Sequence, residues 1–350
     1  MSTGLSPTDA TQRRKLRVRL AAVAFAATAL AGLAGSAGAE ELTKLSVVLG
    51  YVPNVESFGA EYALKQGYFK DEGLDVTVIP AGQGVDQVQM VSAGTVDIGI
   101  SNPEQILAGV AQGAKFKVFA SEFQKTPMAM TCRKDSGIEK ASDIAGKRVG
   151  VKTPAKPFFD LFMSKNNIDP ASVTTTSIGP NDISVLISGQ IDCEVTTFAF
   201  NEPRLIEAAG VPVNVFSFGD YGLNSQVDSY FVSDAFFADP AKKELLVKYL
   251  RAEQKAWMEF FKDPAGAAKF MVEGGFTDGL DLDQQTYQAE KQALYMKDAF
   301  TAEKGFMWVN LDTWKETAQN ALASKVTDRL IDPTDLLSTE ILEKVAPPKM

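Results

Sequence analysis

The chain has 350 residues with a formal net charge of −9, and its sequence contains no histidine. Nucleic acid and anionic membranes would repel so acidic a chain, so we expect neither as a partner. The lack of histidine removes the commonest general base, the commonest zinc ligand and every Ser–His or Cys–His catalytic pair, and we predict neither a metal site nor a cofactor.

The first 39 residues have the layout of a secretory signal. The basic stretch "RRKLRVR" precedes a 14-residue apolar run, Leu20 to Leu33, and Ala37-Gly38-Ala39 supplies a small-residue cleavage site. The run is short for a bilayer span, which favours a cleaved signal over a membrane anchor. We predict export to the periplasm. Removing a net charge of +4 from −9 leaves a mature chain with −13.

The segment 45–120 alternates strand patterns with helix patterns. The strand-like runs are "LSVVLGY", "GLDVTVIP", "VDIGIS" and "KFKVFASE", and helical patterns such as "PEQILAGVAQG" separate them. Pro103 suits the first position of that helix, and Gly113 lies just past its end. Alternation of this kind predicts a parallel sheet with helices on both faces.

A second cycle of the same kind follows from residue 128. Its strand-like runs are "MAMTCRK", "KRVGV", "VTTTSI", "IDCEVTTF" and "VPVNVFSF", with "PFFDLFMSKNN", "DISVLISGQ" and "EPRLIEAAG" as helices. "SAGTVDIGIS" and "ISGQIDCEVTT" occupy corresponding places in the two cycles. We interpret this as a repeat of architecture without a repeat of residues.

After "SYFVSDAFF" the pattern is helical to the end of the chain. The order fits a chain that leaves one lobe, builds a second and returns. We therefore predict an α/β fold of two lobes, each a mainly parallel sheet flanked by helices. The first lobe would comprise 40–126 and 232–350 and the second 127–231, with hinge crossings near 122–128 and 219–232.

Ligands of open α/β sheets bind beyond the carboxyl ends of the parallel strands, where helix N-termini point their N–H groups. Applied to both cycles and to the crossings, this rule selects a set of ligand-binding candidates. The candidates are Tyr51, Asn54, Phe58, Ser101, Asn102, Gln124, Thr126, Thr153, Phe158, Phe198, Asn201, Glu202 and Tyr221.

Two clusters in this set combine a ring with polar groups. "YVPN" places Tyr51 near Asn54, and "FAFNEP" places Phe198 four residues before Glu202. Together they would hold a flat ring by stacking and fix its edge with hydrogen bonds. Each residue also has a structural alternative to ligand binding. The aromatic residues would be ordinary core residues, Asn54 would stabilise a turn, and Glu202 would cap a helix.

The two cysteines, Cys132 and Cys193, would meet if the strand after the first crossing inserted antiparallel beside the third parallel strand of its lobe. In an oxidising compartment they would form either a disulfide or two buried thiols.

Several stretches resemble the substrate-binding proteins of ABC importers, in the group related to yeast thiamine-pyrimidine synthase and to sulfonate, taurine and nitrate binders. They are "GYVPN", "AEYALKQGYFKDEGLDVTVIPAGQG", "SAGTVDIGIS", "FQKTP", "KDSGIEKASDIAGKRVGV" and "NEP". The resemblance implies a type II periplasmic binding fold with a ligand closed between two lobes. The pyrimidine-binding branch opens with Trp-x-Pro-Asn, where this chain has Tyr51, and its usual histidine falls near Ser57.

The expected function is thus that of a monomeric periplasmic receptor that delivers a small solute to the transmembrane subunits of an ABC permease. The resemblance implies a planar nitrogen heterocycle, such as a thiamine pyrimidine precursor or riboflavin. A receptor for a sulfonate, taurine, nitrate or aromatic carboxylate is the alternative. An enzyme of the same fold is a further one, against which the missing histidine argues.

Overall fold

The structure, a computed structural model, describes Met1 and residues 41–82, 84–152, 155–179 and 183–350. The predicted signal sequence lies outside the described residues. Within those ranges the strands are β1 (Thr43–Val48), β2 (Leu74–Ile79), β3 (Ile98–Ser101), β4 (Phe116–Ser121), β5 (Met128–Arg133), β6 (Arg148–Lys152), β7 (Thr174–Ile178), β8 (Cys193–Phe198), β9 (Val213–Ser217) and β10 (Ser229–Ser233).

The α-helices follow the predicted order along the chain. They are α1 (Phe58–Lys65), α2 (Tyr68–Asp71), α3 (Gln87–Ser92), α4 (Pro103–Ala111), α5 (Lys156–Lys165), α6 (Ser184–Ile187), α7 (Glu202–Ala208), α8 (Asp234–Ala238), α9 (Pro240–Lys262), α10 (Pro264–Glu273), α11 (Leu282–Gln292), α12 (Ala299–Lys304), α13 (Leu311–Ala323) and α14 (Glu340–Val345). None of these helices is both long and apolar enough to cross a membrane.

The first sheet has the strand order β2-β1-β3-β10-β4. Strands β1, β2 and β3 are parallel, and β10 runs antiparallel to both β3 and β4. Every residue of β3 is buried, because helices cover both faces of this sheet. The first sheet therefore has the predicted parallel core, with one returning strand inserted in it.

The second sheet repeats the arrangement with the order β7-β6-β8-β5-β9. Strands β6, β7 and β8 are parallel, and β5 runs antiparallel between β8 and β9. In each sheet, the strand that follows a crossing is inserted beside the third parallel strand. The repeat of architecture seen in the sequence is thus present in the sheet topology.

The chain passes from the first sheet to the second between Ser121 and Met128 and returns between Ser217 and Ser229. The boundary placed between residues 231 and 232 falls inside β10. Each sheet has a hydrophobic cluster of its own, with Trp257 and Trp314 in the first and Phe159 and Phe162 in the second. These features give the two-lobed α/β fold.

Strand β5 pairs with β8 so that Cys132 lies opposite Cys193. A disulfide joins the two residues, with an S–S distance of 2.05 Å. Of the two states left open by the sequence, the structure therefore contains the bridge, on the buried sheet of the second lobe.

Candidate ligand-binding cleft

A cavity of about 680 Å³ lies between the two sheets and is lined from both lobes and both crossings. Its lining residues are Asn102, Glu104, Gln105, Ala108, Thr126, Met128, Lys152, Ala155, Phe158, Ile178, Thr196, Leu223, Ser225, Val227, Asn320, Ala321, Ser324 and Val326. We call this cavity the cleft pocket. Its volume falls in the range of pockets that bind small organic molecules, ~300–1,000 Å³.

Strand ends place many of these residues in the cleft. Asn102 follows β3, Lys152 ends β6 and Ile178 ends β7. The carboxyl ends of parallel strands meet at one edge of a sheet, so these positions converge. Helix α4 begins at the same edge, with Asn102 at its N-cap and Pro103 at its first turn. The rule used to select candidates from the sequence therefore selects the edge of both sheets at which the cleft pocket lies.

Large parts of the pocket wall are apolar. Phe158 and Ile178 contribute from the second lobe, Leu223 and Val227 from the return crossing, and Ala321 from α13. Phe158 also packs edge-on against Phe218, with ring centroids 5.0 Å apart. An apolar wall with a few polar groups is typical of sites for flat organic ligands.

The backbone of Thr196 is strained where it lines the pocket. Its φ is 65°, a left-handed conformation that β-branched residues rarely adopt. The strand pairing slips at this point, because Ala129 pairs with Thr197 while Met130 pairs with Val195. The extra residue turns the Thr196 carbonyl so that it accepts a hydrogen bond of 3.0 Å from Lys152 Nζ. Strain of this kind clusters at ligand sites.

Lys152 is the cation of the pocket lining, and carboxylates surround it. Its Nζ lies 3.5 Å from Glu194 Oε1 and 3.9 Å from Glu202 Oε1. Burial raises the pKa of Glu202, an effect that Lys152 opposes. Two acidic groups thus offset one lysine, and the local charge does not favour an anion.

Glu104 adds a further carboxyl group to the pocket. Burial raises its pKa, while its own backbone N–H and the Ser225 hydroxyl act in the opposite direction through hydrogen bonds. Ser225 lies on the return crossing, so this contact joins α4 of the first lobe to the segment between β9 and β10.

Three of the predicted ligand-binding residues line the cleft pocket. They are Asn102 after β3, Thr126 on the first crossing and Phe158 on α5. Each comes from a different part of the chain, so they converge only through the two-lobed topology. Thr153 lies outside the described residues.

Tyr51 and Asn54 do not line the cleft pocket. Tyr51 is 51% exposed and lines a second, much smaller cavity in the first lobe. The Asn54 side chain accepts a hydrogen bond of 2.7 Å from the Glu56 amide and caps the short 3-10 helix Val55–Ser57. The turn role that competed with ligand binding for Asn54 is therefore the one its contacts support.

Phe58 requires a correction, because it is a core residue. It is 2% exposed and packs against Tyr62, Trp257, Phe260 and Phe270. As the first residue of α1, it faces the long helix α9 instead of the cleft. The sequence pattern alone places it near a strand end but does not give this orientation.

Ser101 and Gln124 are also absent from the lining of the cleft pocket. The Ser101 hydroxyl donates to Gln105 Oε1 at 2.6 Å. The Gln124 amide donates to the Trp308 carbonyl and accepts from Gln226 Nε2. Both side chains thus have structural partners near the crossings.

The "FAFNEP" cluster lies at the contact between lobes. Phe198 packs against the core cluster of the first lobe and edge-on against Phe200. Asn201 Oδ1 accepts from Gln284 Nε2 at 3.0 Å. Glu202 accepts from the Phe198 amide at 2.7 Å, so it joins the end of β8 to the start of α7 while facing Lys152.

Tyr221, the last candidate of the set, packs edge-on against Phe162 in the core of the second lobe. It does not line the cleft pocket. The clamp of Tyr51 and Phe198 is therefore not formed around the larger cavity.

The candidate set omits several lining residues. Lys152 lies at the end of β6, where the same rule could have selected it. Thr196 is inside a strand, and only its positive φ marks it. Asn320 and Ser324 come from the end of α13, and no local pattern connects that helix to the cleft.

Comparison with known proteins places this geometry in context. The family model described as "NMT1/THI5 like" matches residues 54–267. The riboflavin-binding protein RibY of Chloroflexus aurantiacus is 22% identical over 311 residues, which cover 86% of each protein. The formylaminopyrimidine-binding protein of Halalkalibacterium halodurans is 21% identical over 305 residues, covering 83% of this chain and 92% of that protein.

An enzyme is among the relatives as well. The 4-amino-5-hydroxymethyl-2-methylpyrimidine phosphate synthase of Schizosaccharomyces pombe is 24% identical over 237 residues, covering 65% of this chain and 68% of the synthase.

Among solved structures, a putative periplasmic sulfonate-binding protein SsuA from Methylobacillus flagellatus superposes with a TM-score of 0.65. That comparison is at 14% identity and covers 87% of this chain and 94% of that one. This likeness confirms the two-lobed periplasmic-binding fold. The match over 54–267 shows that the chain belongs to the NMT1/THI5-like family.

Proposed function

We propose that the protein is the periplasmic solute-binding component of an ABC importer, and that it closes its lobes on a small planar nitrogen heterocycle. The observation that carries the proposal is the cleft pocket, which both lobes and both crossings line. A solute held there contacts both lobes together only in the closed form, so binding favours closure. The closed form is then the one that the permease recognises.

The chemistry of the lining supports a flat, largely uncharged ligand. Phe158, Ile178 and Leu223 offer apolar surface for a ring, while Asn102 and Thr126 offer hydrogen bonds for ring nitrogens or carbonyls. Two relatives carry riboflavin and formylaminopyrimidine in their names, and both of those compounds contain planar nitrogen heterocycles.

A receptor for a sulfonate, nitrate or carboxylate on the same fold is the alternative, and it requires available positive charge. In the cleft pocket the lysine, Lys152, already faces Glu194 and Glu202 and donates to the Thr196 carbonyl. An anion would have to displace these carboxylates. We therefore favour a neutral or weakly basic ring over an anion.

We propose binding without turnover. The relatives with the longest alignments carry the names of binding proteins, although synthases also occur among the matches. The chain has no histidine to act as a general base near neutral pH. The proposed partners are the solute and the transmembrane subunits of the permease, and the proposed location is the periplasm, reached through the signal sequence.

Isothermal titration of the exported protein with pyrimidines, flavins, sulfonates and aromatic acids tests the proposal. We expect a pyrimidine or flavin to bind with a Kd of about 1 µM or below. Ala108→Trp would fill part of the cleft pocket and should weaken that binding at least tenfold. Ala302→Trp introduces the same ring on the exposed face of α12 and should leave it unchanged.

The proposal fails if sulfonates or nitrate bind and no heterocycle does. It also fails if Ala108→Trp binds the heterocycle as tightly as Ala302→Trp. Chemical conversion of the bound compound would contradict the absence of turnover.

A further inference from the structure

The small cavity beside Tyr51 has a different character from the cleft pocket. Its volume is about 20 Å³, room for one water-sized group. Four carboxyl groups line it: Glu56, Glu122, Asp228 and Glu253. We call these residues the carboxyl cluster. They come from the 3-10 helix after β1, the end of β4, the residue before β10 and the middle of α9.

The cluster is held together by internal hydrogen bonds. The Tyr230 hydroxyl lies 3.0 Å from Glu122 Oε2 and 2.8 Å from Glu253 Oε1, so one phenol bridges two carboxyl groups. Glu56 and Asp228 form a second hydrogen-bonded pair. Four acidic side chains are thus brought within a space that would normally disfavour so much negative charge.

Two carboxyl oxygens of the cluster, Glu122 Oε1 and Glu253 Oε2, have no hydrogen-bond partner among the residues that the structure describes. Glu122 is 3% exposed, and its Oε1 atom accepts no hydrogen bond from any residue that the structure describes. An unpaired buried carboxyl oxygen loses its hydration without compensation, which costs on the order of 1–3 kcal/mol. The side chain lines the cavity, so a donor placed there would restore the missing interaction.

Positive charge is also missing around these groups. In the described part of the chain, no lysine or arginine forms an ion pair with any of the four carboxyl groups. Two buried carboxyl groups of the second lobe, Glu194 and Glu202, do have one, since Lys152 faces both. The carboxyl cluster therefore lacks the counter-charge that acidic groups at this depth usually have.

The backbone is adapted to the close approach of these groups. A Cβ atom at Gly50 would lie 2.7 Å from Asp228 Oδ1, so any side chain there would push Asp228 away. Asp228 itself has a φ of 53°, which brings its carboxyl group back over the end of β1. The cavity thus depends on a glycine and on an unusual conformation of an acidic residue.

We propose that this cavity binds one small monovalent cation of the size of ammonium. The cation would donate hydrogen bonds to Glu122 Oε1 and to neighbouring carboxyl oxygens, and its charge would offset their mutual repulsion. The four carboxyl groups do not form a metal cage, because the described residues contain no group of three or more His, Cys, Asp or Glu placed to hold a metal ion. An ammonium group needs only hydrogen-bond acceptors and negative charge.

Two sources could supply such a group. It could be free ammonium, or it could be the protonated amino group of a solute whose remainder extends past Tyr51, the most exposed residue of the lining. Only in the second case does this inference rest on the proposed function.

Thermal unfolding at pH 8 and constant ionic strength tests the proposal. Ammonium and methylammonium chloride should raise Tm by roughly 3 °C or more near saturation, relative to tetramethylammonium chloride. Tetramethylammonium carries the same charge but is too large for a 20 Å³ cavity. Aminomethylpyrimidine, tested against methylpyrimidine, distinguishes a solute-borne amino group from free ammonium.

Two variants test whether the rise in Tm with ammonium comes from binding in this cavity. Glu122→Gln removes a charge with little change of shape, and Gly50→Ala narrows the cavity while keeping all four carboxyl groups. Both should abolish the difference between ammonium and tetramethylammonium. Glu290→Gln, an exposed carboxylate on α11, should preserve it.

Equal effects of ammonium and tetramethylammonium, with no effect of aminomethylpyrimidine, would overturn the proposal. Selectivity for ammonium that survives in both cavity variants would overturn it too. If aminomethylpyrimidine alone stabilises the protein and loses this effect in both variants, the cation belongs to a solute. Failure here leaves the proposed function intact, because that rests on the cleft pocket and on Ala108→Trp.

Discussion

Lys152 shows how a single residue can indicate the wrong ligand when it is considered alone. A lysine at a strand end favours an anion receptor, but its side chain donates to the Thr196 carbonyl and faces two carboxylates. It is also largely buried, with 15% of its side chain exposed. Its charge therefore interacts within the second lobe, where it offsets the desolvation cost of burying Glu194 and Glu202.

Replacing this lysine should destabilise the protein without creating an anion preference. Lys152→Met leaves two buried carboxylates without their cation, and we expect a loss of about 3 kcal/mol in the free energy of unfolding in urea. Lys156→Met removes an exposed lysine whose ion pair with Asp160 should contribute less than about 0.5 kcal/mol. Equal losses in the two variants would contradict the assigned role.

Thr196 carries strain that glycine would relieve. Since its φ is 65°, Thr196→Gly should raise the free energy of unfolding by about 1 kcal/mol. The same change at Thr176, an exposed position in the regular strand β7, should lower it by a similar amount. Urea denaturation of both variants checks the opposite signs, and a loss in both would show that Thr196 is not strained.

At the scale of elements, the two inserted strands, β5 and β10, determine how the lobes are connected. Strand β5 lies between β8 and β9, and β10 lies between β3 and β4. These insertions tie each crossing into a sheet. The pairing of β5 with β8 also brings Cys132 and Cys193 together, a consequence that the order of elements allowed but did not require.

Removing the disulfide should lower stability substantially. The two cysteines are separated by 61 positions, for which loop-closure entropy gives about 4 kcal/mol at 25 °C. The double variant Cys132→Ala with Cys193→Ala should lose roughly that amount in urea denaturation. Adding a reductant should destabilise the unmodified protein and leave the double variant unaffected. A reductant effect on the double variant would show that another process is involved.

At the scale of the whole molecule, buried acidic groups link stability to pH. Burial raises the pKa of Glu253 to about 8 and that of Asp228 to about 6, and it raises the pKa values of Glu56 and Glu122 well above their usual range. The groups that face them are Tyr230, Tyr249 and Glu202, and none of these is cationic. Glu61, on α1, has its pKa raised to about 7 by burial.

The sign of the pH dependence follows from these shifts. Between the unfolded pKa values near 4 and the folded values up to about 8, the native state holds more protons than the unfolded chain. Stability should therefore be greatest near pH 4.5 and fall as the pH rises towards 8. Glu253 alone would account for about 4 kcal/mol of that fall.

Urea denaturation at pH 5 and pH 8 measures the decrease in the free energy of unfolding between these two pH values. Glu253→Gln should make that decrease smaller. Glu290→Gln, which changes an exposed carboxylate, should not. Stability that rises between these two pH values would contradict the burial of the carboxyl cluster.

The sequence by itself determined the alternation of strands and helices, the two cycles and the edge of each sheet at which the cleft pocket lies. These are local properties, because hydrophobic period, caps and turn residues act over a few positions. Asn102, Thr126 and Phe158 were found in this way.

Only the tertiary structure decided which strand ends face a shared space. Phe58 turns into the core against Trp257, Asn320 enters the cleft from a distant helix, and four carboxyl groups from separate elements meet beside Gly50. Those outcomes depend on how helices pack across sheets and on where the chain crosses between lobes. Packing of that kind is set by contacts distant in sequence, which no local pattern contains.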